Sequence, residues 1–440
     1  MTLVGILGLA LPAAAAEPDS VGAYLRSLAD STDRYFGASA APIDTAGLDS
    51  ALAYGLMHPP KPKAHSLMPS VGPWFSFDRA DGALWGASLG LGEPEHAAGN
   101  LSGRWGYAAG PNDDRWAVSY RKQWRHEETS GRTQRARPRW SLDLQGGELR
   151  NTLDPDHPAH FFPTARALLN GSDYNHYFLR EGVRAGLERA TSVFRIGGSY
   201  RNQVEHPLAT TTTWDLFRRP LVVVFNQPAA NGRVGEVEGE MGVRWPRWGV
   251  QAEGEVGSAA GSLGSDFDFT RWRVALGAER PLGSIASLVP QLEYGRLTGD
   301  PTPQASFYLG GSHSLRSIQS VTLGGTTKAL GRLDLFIPHD LLRLAHIPHP
   351  AFLPLEAAAF GGIGAVSGTD PYGGPARPGT SWPDQGTWHS EAGVGLLWRP
   401  GIPDPLHSIR LDCAWRLGAD SGRHFSMSYT RPLDLFKPFE

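Results

Sequence analysis

The sequence predicts an all-β protein: a transmembrane antiparallel β-barrel of about sixteen strands behind a short helical N-terminal segment. Three observations lead there. From about Trp74 onward, stretch after stretch alternates apolar with polar residues at period two. The apolar stripes often end in Trp or Tyr, while the opposite stripes carry both charge signs at close spacing. The runs are roughly ten residues long, which matches a tilted bilayer crossing better than the usual soluble strand of about six.

Composition is compatible with this class without dictating it. The chain has 440 residues, 40% of them hydrophobic, and a mean hydropathy of -0.29. A large soluble β-protein would look the same on average, because half of a spanning strand faces water. No run of about 18 uncharged apolar residues occurs, so no membrane-spanning helix is expected. Fifty-four glycines suit tight turns and curved strands, and 14 tryptophans suit a membrane-interface belt. A net charge of -3 gives no basic face for nucleic acid. The single cysteine, Cys413, excludes an intrachain disulfide framework and any multi-cysteine zinc site.

Residues 1–16 read as a signal peptide. The apolar stretch Leu3–Leu11 precedes Pro12 and a small-residue run, with Ala14 and Ala16 at an A-x-A spacing before Glu17; the usual basic residue near the start is missing. Residues 17–72 form a second segment of helical character. Val21, Tyr24, Leu25 and Leu28 recur at helical spacing, as do Leu48, Leu52 and Leu56, until prolines and lysines at 59–63 break the pattern. Its expected place is a small periplasmic cap or a plug of the lumen. Residues 73–440 form the barrel.

Within the barrel, Trp116, Val118 and Tyr120 oppose Ser119 and Arg121, and Val237, Met241, Val243 and Trp245 oppose Glu236, Glu238, Glu240 and Arg244. Trp272, Val274 and Leu276 oppose Arg271 and Arg273, and Ile409, Leu411, Cys413 and Trp415 oppose Arg410, Asp412 and Arg416. Breaks are expected near Gly110, Arg132, Pro207, Pro246, Pro281, Pro301, Pro338, Pro371 and Pro403. Short connections alternate with long ones over residues 148–173, 206–233, 337–351 and 367–387, as turns and loops do at the two ends of such barrels.

The most informative stretch is 304–337. Two apolar β-prone runs flank a segment dense in Gly, Ser and Thr, with a lone cation, Arg316, at its centre. Phe307-Tyr308-Leu309-Gly310-Gly311, then Ser314-Leu315-Arg316, then Leu333-Asp334-Leu335, resembles the barrel of the bacterial surface-antigen superfamily. That superfamily includes the barrel-assembly insertase and the two-partner secretion transporters. Phe77–Gly82, Tyr174–Gly182, Ser265–Thr270 and Leu297-Thr298-Gly299 resemble further patterns of these barrels. The resemblance implies an outer-membrane location in a Gram-negative bacterium and a role in inserting or passing polypeptide, or as a pore. Outer-membrane lipid, client polypeptides and periplasmic accessory proteins are the implied partners. Residues 17–72 are too short for the transport-associated periplasmic modules that many of these barrels carry.

The resemblance also implies a site. Leu315, Arg316, Ser317 and Ile318 take the tip of a loop folded into the lumen, preceded by the strand motif Phe307, Leu309, Gly310 and Gly311. Arg316 would pair with an acid on the barrel wall, since a guanidinium in a crowded lumen needs a fixed bidentate partner. Ser317 and Ile318 replace the family's glycine and aromatic, and the wall acid expected near Phe360-Gly361-Gly362 is missing. Glu356, at the strand parity of Gly362, is the substitute candidate.

Enzymatic motifs are weak. No G-x-S-x-G or H-E-x-x-H occurs, and Gly324-Gly325-Thr326-Thr327-Lys328 reads as a turn rather than a phosphate loop. His339, His346 and His349 cluster with only Asp340 as a carboxylate, too little for a metal site. No catalysis, metal or cofactor is expected. Two alternatives stay open: a barrel-embedded lipid hydrolase using His424 and Ser426, and a structural surface antigen that transports nothing.

Overall fold

The computed structural model describes residues 69–94, 96–125, 139–153, 164, 175–212, 226–283, 285–350, 353–379, 381–398, 408–418 and 422–430. The signal-peptide and helical-segment expectations fall outside these residues. The strands are β1 (Pro69–Asp78), β2 (Gly82–Leu91), β3 (Asn100–Ala108), β4 (Asp113–Arg125), β5 (Arg139–Thr152), β6 (Tyr177–Ala190) and β7 (Phe194–Pro207). Then come β8 (Gly232–Trp245), β9 (Val250–Ala259), β10 (Phe269–Ala278), β11 (Arg280–Leu282), β12 (Ala286–Gly299), β13 (Phe307–Leu309) and β14 (Leu323–Gly325). The last are β15 (Thr327–Ile337), β16 (Leu355–Ser367), β17 (Trp388–Trp398), β18 (Ser408–Leu417) and β19 (Gly422–Thr430). One short helix, α1 (Leu341–Leu344), is capped by Asp340, whose carboxylate accepts from the Leu342 amide.

Seventeen strands form one sheet; β11 only prolongs β10 along β12, which leaves sixteen wall strands. Each pairs antiparallel with the next along the chain, while β13 and β14 pair with each other in a separate small hairpin. The first strand begins at Pro69, ahead of the expected Trp74. Pro69 and Pro73 hid it in the sequence, and β1 tolerates them because its only ladder partner among the described residues is β2.

The two faces of the wall are inverted relative to a soluble protein. Val71 is 75% exposed and Phe425 67%, and Leu89, Val118, Val183, Met241, Val274, Leu333, Val394 and Leu411 are also exposed. The opposite face is enclosed: Gln291, Glu293, Lys328, Arg332, Asp334, Glu391, Arg410 and Asp412 are all buried. Apolar residues at water's expense and charges in the interior make sense only if the solvent outside is lipid. Two stacked sheets would bury the tryptophans instead, and among the described residues none is buried.

Exposed tryptophans gather at two levels. Trp85, Trp105, Trp116, Trp272 and Trp415 lie toward one end of their strands, and Trp124, Trp140, Trp245 and Trp248 toward the other. Trp116 and Trp124 on β4 are about 27 Å apart along an extended strand, or about 20 Å along the bilayer normal at a ~40° tilt. This is the spacing of two interfacial girdles. The connections 191–193, 246–249 and 283–285 are short and share one end. The opposite, loop end carries the long connections 153–176, 208–231, 300–326 and 368–387, whereas 338–354, also expected to be long, falls at the turn end.

Candidate functional site: a loop anchored inside the barrel

The connection between β12 and β15 does not stay outside. Its hairpin β13–β14 and the turn between them pack against the inner wall, and the sequence shows why the chain turns where it does. Gly310 has φ +127 and Gly311 φ +88, and a Cβ on Gly310 would lie 2.3 Å from the Gln319 carbonyl oxygen, so only glycine fits at 310. The Gly311 amide donates to the Ile318 carbonyl at 2.8 Å and the Ile318 amide to the Leu315 carbonyl at 3.2 Å. That closed turn presents Arg316 at its tip.

Apolar side chains of the loop seat it. Leu309, Leu315 and Ile318 form a cluster with Leu330 of β15 and Val366 of β16. Phe307 joins Val234, Ala259, Phe269, Leu297 and Ala305. Tyr308 and Val321 meet Leu153, Phe178 and Ala229, drawing other loop-end segments over the hairpin. Wall glycines make the recesses: a Cβ on Gly295 would lie 2.4 Å from the Phe307 ring, on Gly364 2.7 Å from Leu309, and on Gly362 2.8 Å from Leu315.

Arg316 is 2% exposed and reaches two strands of the wall. Its Nη1 lies 2.9 Å from Asp334 Oδ1 on β15, and its Nε 3.5 Å from Asp412 Oδ2 on β18. The guanidinium sits over the Phe360 ring of β16, 4.3 Å from its centroid. Arg410 bridges the same two acids, at 2.9 Å from Asp334 and 2.7 Å from Asp412. Arg332 reaches Asp334 at 3.3 Å and donates to the His313 carbonyl of the loop at 2.8 Å. The Ser317 amide donates to Glu391 Oε2 on β17 at 2.6 Å, and Arg416 Nη2 donates to the Ser317 carbonyl at 3.2 Å. Three guanidiniums, Arg316, Arg332 and Arg410, thus share the carboxylates of Asp334 and Asp412, while Glu391 and Arg416 hold the Ser317 backbone; four cations against three anions leave the cluster within one charge of neutral.

The sequence placed Glu356 opposite Arg316; the structure brings Asp334 and Asp412 to the guanidinium. Glu356 lies buried on β16, where its ladder partner is Leu397 of β17. Asp334 was visible as the acid of the motif strand, and its ladder partner is Phe360, the ring beneath Arg316. Asp412 and Arg410 were visible only as one polar stripe. No local pattern indicates that β18, several ladder steps from β15, supplies a ligand to the loop.

A second buried cluster uses the turn after β1. Asp78 Oδ1 accepts from the Ala80 and Asp81 amides at 2.8 and 2.9 Å, which shapes the turn. Asp81 pairs with Arg115 at 3.1 Å and with Arg150 at 3.5 Å, and Arg150 also pairs with Asp78. Arg79 Nη2 is 3.1 Å from His176 Nδ1, which accepts the Gln227 amide at 2.9 Å. The Phe77–Gly82 motif is therefore an ionic fastener that ties the first hairpin to β4, β5 and two loops.

Burial, together with the Arg79 guanidinium, pushes the His176 imidazole down to about 3. A histidine in the unfolded chain titrates near about 6.5. Between these values the unfolded state binds more protons, so stability from this contact is complete above pH ~6.5 and falls as pH drops toward 3. Thermal unfolding in detergent should therefore depend on pH from 7 to 4. His176→Asn, which keeps an acceptor without a titrating ring, should flatten that dependence; an unchanged slope would place the effect elsewhere.

The remaining candidates are dispersed. His424 and Ser426 lie along β19, paired in the ladder with Ala414 and Asp412. His349 Nε2 is 2.5 Å from Asp340 Oδ2 in the β15–β16 connection, and among the described residues no three ligands gather to hold a metal ion. Along β4–β10 the lumen keeps an open space of about 410 Å³. Its lining includes Arg184, Arg195, Arg271, Glu238, Glu240 and Glu255, both signs in nearly equal measure.

No family model matches the chain, and no curated protein does. Solved structures do. The chain is similar to BamA from Haemophilus ducreyi lacking POTRA domains 1–3, at 11% identity and a TM-score of 0.48, covering 82% of this chain and 69% of that one. It is similar to CdiB from Escherichia coli at 12% identity and a TM-score of 0.42, covering 82% of this chain and 61% of that one. The outer membrane protein OpdK from Pseudomonas aeruginosa gives 12% identity, a TM-score of 0.38, and coverage of 82% and 96%.

What the site can do follows from its geometry. A loop held through a buried ion cluster and three apolar clusters has one well-defined docked state. Leaving it would strand charges on both sides, so partial displacement of the loop is costly.

Proposed function

We infer that the chain is an outer-membrane β-barrel of the surface-antigen type, acting in a Gram-negative envelope to pass or insert polypeptide through a lumen that the 300–326 loop holds shut at rest. One observation carries this reading: Arg316, at the tip of a loop, is clasped by acids on two separate parts of the inner wall. A barrel with no transport to control would gain little from a buried cationic latch, because apolar packing gives equal stability at lower desolvation cost. The mixed-sign space along β4–β10 suits a polypeptide segment, which presents both charge signs and many hydrogen-bonding groups, better than a solute of one sign.

The test is conductance in planar bilayers. The wild-type protein should be mostly closed with brief openings, and peptide added on one side should block those openings. Silence from the wild type and from latch variants alike would favour a structural surface protein.

A further inference from the structure

We propose that the loop joining β16 to β17 is a strap over the barrel rim, with Trp382 seated among lipid headgroups of the outer leaflet and Tyr372 and Arg377 holding the lumen loop, so that an anionic lipid bound outside keeps the plug docked inside. This rests on the membrane-barrel reading.

The inner half of the strap is tied to the plug. Tyr372 Oη is 3.1 Å from Tyr308 Oη, with ring centroids 6.3 Å apart. Arg377 donates to the Gly324 carbonyl of β14 and pairs with Asp370 at 3.2 Å. The outer half goes the other way. Tyr294 of β12 donates its hydroxyl to the Ser381 carbonyl, which places this part of the loop on the outer face of the wall. Trp382 stacks on Tyr294 at 5.6 Å and 15°, and meets Trp388 of β17 at 5.8 Å; Trp272 of β10 extends the row at 5.2 Å from Tyr294.

The ladder explains how Trp382 fits. Tyr294, Ala329, Ala365 and Trp388 are successive partners across β12, β15, β16 and β17. Ala329 and Ala365 have the parity of the lipid-facing Leu333 and Ile363, yet both are buried. The strap covers them. Two alanines between two large aromatics leave a shallow trough, and Trp382 lies over it while remaining 58% exposed. A tryptophan half covered by the wall, at the level of the Trp272 girdle, has its free face toward the bilayer interface. Arg296 stands on the same face of β12, opposite Trp272 in the ladder, and among the described residues no carboxylate pairs with it. That cation beside an aromatic row suits a phosphate-bearing headgroup.

A fluorophore at position 381 decides the lipid contact. Ser381→Cys is made in a Cys413→Ala background, labelled with an environment-sensitive dye and reconstituted in phosphatidylcholine vesicles containing lipid brominated either near the headgroup, for position 381, or at mid-chain, for the reference. Leu333→Cys, on the outer mid-wall, serves as the reference. Strong quenching by brominated lipid at 381, weak quenching by aqueous iodide, and loss of the lipid quenching on Trp382→Ala are expected. Quenching at 333 but only iodide quenching at 381 would overturn the strap and leave the barrel standing. No lipid quenching at either position would overturn the barrel reading itself.

The coupling has its own readout. Openings in planar bilayers should be about fivefold rarer when phosphatidylglycerol replaces part of the phosphatidylcholine, as one basic side chain near an anionic surface allows. Trp382→Ala and Arg296→Gln should each abolish that difference. A lipid dependence that survives both variants would refute the coupling.

Discussion

Arg316→Ala should convert a mostly closed barrel into a conducting one. The substitution removes a guanidinium that is buried with Asp334 and Asp412, and takes one of the cations that those acids share with Arg332 and Arg410. Breaking a buried pair from one side costs about 3–5 kcal/mol, or roughly 10²- to 4 × 10³-fold in the docked-to-undocked ratio of the loop. The barrel wall itself loses no ladder hydrogen bond, so heat-modifiable migration on a detergent gel should persist while open probability rises. Arg316→Lys should resemble alanine more than wild type. An ammonium is a point charge and cannot both lie flat on Phe360 and reach acids on β15 and β18. An Arg316→Ala barrel that stays shut would mean that the apolar clusters alone hold the loop.

The carboxylate side gives a graded version of the same result. Asp334 touches Arg316, Arg332 and Arg410, whereas Asp412 touches Arg316 and Arg410. Asp334→Asn should therefore open the barrel more often than Asp412→Asn. The double change Arg316→Met with Asp412→Leu should be milder than either single change, because it removes a charge from each side and leaves apolar bulk. Measuring the four open probabilities as a cycle isolates the coupling between loop and wall.

Much of the wall was legible because a strand between lipid and lumen writes its two solvents into alternate residues. Glu236, Glu238 and Glu240 against Val237 and Met241 reveal both faces of β8 without any tertiary information. The motif around Phe307 and Arg316 marked the inserted loop for the same reason: a cation amid glycines has to be placed by something beyond its neighbours. What stayed hidden is of two kinds. Strand β1 carries Pro69 and Pro73, which punctuate the sequence but are harmless in a strand paired on one side. The partners of Arg316 depend on how far the loop reaches across the lumen, and period-two patterning holds no information about reach. Glu356 was chosen by parity alone; Asp412 has the same inward parity and lies where the tip arrives. The aromatic trough was invisible for a related reason, since Ala329 and Ala365 look like filler until their ladder neighbours are known.

Filling the glycine recesses should undock the loop without touching a charge. At Gly295 an added Cβ would meet the Phe307 ring at 2.4 Å, with two further ring atoms at 2.5 and 3.1 Å. A flat ring enclosed by Phe269 and Leu297 has no rotamer to escape into, so Gly295→Ala should displace Phe307 and with it β13. At Gly362 the close obstacle is one methyl group of Leu315, and at Gly364 one of Leu309 with a Leu330 methyl at 3.1 Å; these can rotate, so alanine there should do less and valine more. Overpacking of this kind costs about 1–3 kcal/mol, enough to raise open probability by roughly 5- to 150-fold. Gly361→Ala is the control: its nearest contact would be an ordinary 3.6 Å to the Glu391 carbonyl oxygen, on the same strand but away from the loop. Adding Leu315→Ala to Gly362→Val should reclose the barrel, because space taken on the wall is returned on the loop. Equal openings for Gly295→Ala and Gly361→Ala would show that these glycines serve strand curvature and that the loop is indifferent to the recesses beneath it.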